Sequence, residues 1–196
     1  FLNKIEKHYF ELPKHIVADA GYGSEQNYVD ILTQRKREAL ITYNVYLMEK
    51  TKKHKQNRFH PDNWQYDKET DTYICPNQKC LSFQYHTVHT DRTGFQRKLK
   101  VYECEDCSGC PFRSSCTKAK EGNNRTIKMN DRWERQKEYV RAKLSEEKTG
   151  TIYRRRKIEV EPIFGFLKAN LRFTRFSVRG KSRVENEMGF ALLAVN

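Results

Sequence analysis

The stretch from Lys14 to Asn44, KHIVADAGYGSEQNYVDILTQRKREALITYN, constrains the fold more than any other part of the chain. Ile16 to Ala18 form a short apolar strand ending in Asp19 and a Gly-containing turn. Ser24 is a preferred N-cap residue, and Tyr28, Ile31 and Leu32 behind it recur at helical spacing. A second apolar run, EALITYNVY, follows. Strand, loop, helix and strand within some thirty residues make a βαβ-like unit, which places the chain in the α/β class. Sites in such sheets gather beyond the carboxyl ends of the strands, and Asp19 stands there.

From Met48 to about Gly150 the pattern changes. MEKTKKHKQNRFHPDNWQYDKETDTY is polar, basic and without a period, and reads as a long loop. Residues 82–103 alternate on either side of Arg92-Thr93-Gly94, as a β-hairpin does. Asp131 is placed to cap a helix, RWERQKEYVRAKLS, with Trp133, Tyr139, Val140 and Leu144 on its buried side. The expected division is therefore a core of residues 1–47 and 151–196, interrupted by an insertion over 48–150.

All six cysteines lie in that insertion: Cys75, Cys80, Cys104, Cys107, Cys110 and Cys116. In an intracellular chain such clustering points to a metal more than to disulfides. Thiolates two residues apart can share a tetrahedral zinc, which would staple a loop-rich segment. Cys107 and Cys110 are the best-spaced pair, with Cys75, Cys104 and Cys116 competing for the remaining positions. An iron–sulfur cluster stays open, although the spacing is not one of the standard runs, and unligated thiols are the remaining alternative.

Tyr153 to Lys168, YRRRKIEVEPIFGFLK, sets a basic block against two carboxylates. On one continuous helix Lys157, Glu161 and Lys168 share a stripe, with Arg154 a turn behind and Gly165 leaving open space beside Glu161. Ile158, Ile163, Phe166 and Leu167 would face a core. One carboxylate among cations suits a metal ion with phosphates across the lysines, whereas an ordinary i,i+4 pair between Lys157 and Glu161 is worth only a few tenths of a kcal/mol, roughly. Glu159 points to another side. With 38 Lys and Arg against 25 Asp and Glu, the net charge of +13 favours a polyanionic partner. No apolar run approaches the roughly 18 residues that span a bilayer, and the N-terminus carries no signal segment. A cytoplasmic protein is expected.

IVADAGYGS, ALITYN, ECEDCSGCPFRSSCTKA and the segment from Tyr153 to Asn196 together resemble a bacterial insertion-sequence transposase of the DDE class. That resemblance implies a ribonuclease-H-like core with an insertion before the last of three metal-binding carboxylates. It matches Asp19 to the second acid and Glu161 to the third, and puts the first upstream of residue 1. The family signature runs Tyr, two residues, Arg, three residues, Glu, six residues, Lys. Tyr153, Arg156, Glu161 and Lys168 fit it, except that Lys157 rather than Arg156 has the spacing of the Arg. The implied activity is phosphodiester hydrolysis and strand transfer at the element's ends with Mg2+ or Mn2+. Tyr153, Arg154, Arg156, Lys157 and Lys168 would hold DNA. The resemblance also implies a homo-oligomer assembled on DNA and association with the nucleoid. A non-catalytic DNA-binding or zinc-stapled module derived from such an enzyme is the alternative.

Overall fold

A computed structural model describes residues 2–8, 11–159 and 161–193, apart from the side chain of Glu161. Helix α1 (Leu2–His8) leads into strand β1 (His15–Ala18). Helix α2 begins as Glu25–Tyr28 and widens into a π-helical stretch, Val29–Gln34, before strand β2 (Glu38–Ile41). The Ser24 side chain accepts a hydrogen bond from the Asn27 amide at 3.3 Å, so the expected cap is present. β1 and β2 pair in parallel, Ala18 opposite Ile41, as a βαβ unit requires.

Five further strands make an antiparallel meander: β3 (Gln65–Asp67), β4 (Thr72–Ile74), β5 (Cys80–Thr90), β6 (Gln96–Cys104) and β7 (Thr126–Met129), paired in that order. The β5–β6 hairpin lies where its alternation places it, and Gly94 at its turn has φ +82°, a conformation that favours glycine. The loop expected over 48–73 instead contains β3 and the start of β4. Their three-residue strands are too short to show a period, and they are held by packing of Trp64 and Tyr73 into the sheet's core.

Helices α3 (Asp131–Ser145), α4 (Glu147–Glu159), α5 (Glu161–Ala169) and α6 (Lys181–Leu193) complete the chain. The cap of α3 is Asn130, one residue earlier than expected, accepting from the Trp133 amide at 3.1 Å. The Asn130 amide also donates to the buried Glu25 carboxylate at 2.8 Å, which a carboxylate cannot do; an Asp there would set two carboxylates together. Asp131 is the first helical residue.

Two apolar clusters result. One joins Tyr28, Ile31, Ala39, Ile41, Tyr43, Tyr46 and Val140, with Trp133, Tyr139 and Leu144 packed against them, so α3 buries its expected face on the parallel pair. The other lies in the meander and joins Trp64, Tyr73, Leu81, Tyr102 and Ile127 with Cys75, Cys104 and Cys107.

Candidate functional site

Parallel pairing brings the residues that follow each strand to one edge, Asp19 after β1 and Thr42 after β2. Asp19 is exposed and caps the single 3-10 turn Ala20–Tyr22, its Oδ1 accepting from the Gly21 amide at 2.9 Å. The chain then presses against the end of β2. A Cβ built on Gly23 would stand 2.0 Å from the Thr42 carbonyl oxygen, so only glycine fits. The Thr42 hydroxyl lies 3.1 Å from the Tyr153 hydroxyl on α4, and α4 contacts both β1 and β2. Tyr153 is therefore anchored at the edge that carries Asp19.

The basic block is spread around α4. Arg156 stacks over the Tyr153 ring at 5.4 Å. Arg154 is exposed and donates to the Thr151 hydroxyl at 2.8 Å, while Lys157 is exposed. Glu159 pairs with Arg155 at 2.5 Å, an exposed i,i+4 contact worth a few tenths of a kcal/mol, roughly. Glu161 opens α5, but its side chain lies outside the described residues, and so does residue 160 between the two helices. The shared stripe of Lys157, Glu161 and Lys168 therefore falls partly outside them as well; Lys168 itself is exposed.

The expected apolar face is corrected in three of its four positions. Leu167 is buried at 2% exposure, but Ile158 is 76% exposed, Ile163 37% and Phe166 39%. Ile158 lies near the end of α4 on a side with nothing described against it. Helical spacing shows which residues share a face but not whether a partner covers it.

Five cysteines, Cys75, Cys104, Cys107, Cys110 and Cys116, line one cavity beside Leu81 and Arg125. Its volume of about 20 Å3 suits a single ion or water and nothing larger. All six thiols are free, and Cys80 is exposed outside the cavity wall. The Arg125 amide donates to Cys107 Sγ at 3.3 Å, and its guanidinium donates to Cys116 Sγ at 3.1 Å. For Cys116, burial outweighs the downward pull of the Arg125 guanidinium and holds the thiol above its ordinary value. Burial pushes the Cys104 thiol up to about 12, and the neighbouring Cys107 adds to this.

Spacing gave no sign of a different cluster. Among the described residues, the three potential ligands whose donor atoms all lie within 4.8 Å are His54, His60 and Asp62. The Asp62 carboxylate is already matched by Lys137, whose Nζ is 3.9 Å away, and His60 Nδ1 accepts from the Asp62 amide at 3.3 Å. The five thiols are thus looser than this trio, and a zinc would have to draw them together.

Every cysteine of that cavity, the α4 block and α5 fall within residues 74–196, which match the Transposase DDE domain family. The chain belongs to that family. None of the curated proteins matches it, and no solved structure does. Asp19 precedes the matched span and Glu161 lies inside it. DDE transposases use a divalent metal and take DNA as substrate. No helix among the described residues is long and apolar enough to cross a membrane.

Proposed function

We propose that this chain forms part of the catalytic region of a DNA transposase, cutting phosphodiester bonds at the ends of an insertion sequence and joining them to target DNA. The observation that carries this reading is an exposed Asp19 at the end of a parallel strand, with Tyr153 of α4 anchored at the same edge. The core is read as ribonuclease-H-like, over residues 1–47 and 151–196, with 48–150 as its insertion. Asp19 and Glu161 supply carboxylate oxygens, the donors that Mg2+ or Mn2+ prefers. Asp19 Oδ1 is steadied by the Gly21 amide, which leaves Oδ2 to meet a cation. A bound divalent ion would activate the attacking oxygen and stabilise the leaving one, so no protein nucleophile is required.

Tyr153 acts by fixing α4, because its hydroxyl is committed to Thr42. Arg154, Arg156, Lys157 and Lys168 carry the charge that holds phosphates, contacts that position a strand without reading its sequence. A zinc held by four of Cys75, Cys104, Cys107, Cys110 and Cys116 would tie β4, β6 and the following loop together. Assembly as a homo-oligomer on DNA, in the bacterial cytoplasm at the nucleoid, completes the reading. The cysteine cavity also favours a second reading, in which the same fold is a zinc-stapled DNA-binding module without catalysis. Strand cleavage of a transposon-end duplex by the full-length protein, with Mg2+ and with a chelator, separates the two. Mg2+-dependent cleavage supports the enzyme, and DNA binding without cleavage supports the module.

A further inference from the structure

A β-bulge in the hairpin changes which way half of β5 faces. Phe83 stands opposite Tyr102 and Tyr85 opposite Val101, so Gln84 is the extra residue. In a regular strand, residues three apart face opposite sides. Here Phe83 and His86 meet, their rings 4.9 Å apart. The bulge therefore turns His86 to the face that carries its cross-strand partner Lys100 and, one pair further on, Lys98 opposite Val88.

That face meets the start of α3. His86, Lys98 and Lys100 from the sheet and Asp131, Arg132 and Arg135 from the helix line a cleft of about 230 Å3. This is smaller than the pockets of drug-sized ligands, roughly 300 Å3 and above, and suits one phosphate group with its waters. Part of its charge is already matched. Lys100 lies 3.4 Å from both Asp71 and Asp131, and Arg132 donates to the buried Glu25. Lys98 and Arg135 are exposed and join no carboxylate among the described residues. Two unmatched cations line one small opening together with His86, and the positive end of α3 lies beside it.

We infer that this cleft binds a phosphate group of the DNA backbone, giving the insertion a contact separate from the α4 block. The inference rests on the DNA reading above. Lys98 and Arg135 grip the phosphate, Lys100 and Arg132 set the potential of the walls, and the Gln84 bulge keeps His86 turned inward. The contact carries no sequence information, because it reaches only the backbone.

The test is binding of a mixed-sequence DNA duplex across a salt series by the full-length protein and by Lys98→Ala/Arg135→Ala. Both substitutions are at exposed residues, and circular dichroism confirms that the fold is kept. The double variant is expected to bind about tenfold more weakly, with the log–log salt slope reduced by about one unit, the loss of one phosphate contact. Wild-type binding with an unchanged double variant overturns the cleft and leaves the DNA reading standing. Absence of wild-type binding overturns the DNA reading itself. A titration with inorganic phosphate, followed by the amide resonances of residues 130–135, then divides what remains. Shifts there overturn only DNA as the source of the phosphate, and no shifts overturn the cleft too.

Discussion

The Tyr153 hydroxyl on α4 lies 3.1 Å from the Thr42 hydroxyl at the end of β2, across 111 residues of sequence. This bond holds the basic helix at the strand edge that carries Asp19. Tyr153→Phe keeps the ring and its contact with Arg156 but removes the bond. A stability loss of about 1 kcal/mol is expected in chemical denaturation. A variant as stable as wild type would show that the hydroxyl pair does not anchor α4.

Gly23→Ala probes the loop behind Asp19. The added Cβ would fall 2.0 Å from the Thr42 carbonyl oxygen, and backbone on both sides must move. Destabilisation of roughly 3 kcal/mol is expected, at the upper end for overpacking. Thermal unfolding measures it, and Gly94→Ala is a useful contrast, since no atom lies within 4 Å there and only its φ of +82° opposes the change.

Glu49 supplies a pH test. Burial pushes its carboxyl up, but hydrogen bonds from Tyr43 and Arg141 outweigh this and hold it below the ordinary carboxylate value. The Tyr43 bond is 2.6 Å and the Arg141 bond 2.9 Å, and the side chain is 11% exposed. A carboxyl lowered in the folded state stabilises above its unfolded pKa, and that contribution is lost as pH falls through the folded value. Glu49→Gln should therefore cost about 2 kcal/mol at neutral pH, as hydrogen bonds to a charge are weakened. The difference should close in acid. Denaturation midpoints at neutral and acidic pH check it.

The cysteine cavity predicts about one zinc per chain in protein kept reduced. Cys107→Ser should lower zinc content, while Cys80→Ser, outside the cavity, should leave it unchanged. Removing metal with a chelator should raise hydrogen exchange over residues 75–116 before the parallel pair responds. Metal analysis finding neither zinc nor iron would leave these as free thiols.

The parallel pair was legible because Ile16 to Ala18, the Ser24 cap and Tyr28 with Ile31 are local signals in one short stretch. The hairpin was legible for the same reason, through alternation around Gly94. β3, β4 and β7 were not, because each has only three or four residues and lacks the apolar run that marks β1 and β2. Ile158 shows the converse failure, a residue with the right spacing and no neighbour to bury it. At the site, Asp19 could be read from its place after a strand. The Tyr153–Thr42 contact and the Gln84 bulge depend on tertiary register and left no mark in spacing.

The central claim is that Asp19 holds a divalent ion at the cutting site. It is tested most directly by the rate of Mg2+-dependent strand cleavage of a transposon-end duplex by full-length Asp19→Asn. The substitution keeps size and hydrogen bonding to the Gly21 amide while removing the charge. Cleavage is expected to fall on the order of a thousandfold, the loss of several kcal/mol of metal-assisted stabilisation, with DNA affinity retained. Cleavage at the wild-type rate would contradict the claim and return Asp19 to a turn-capping role.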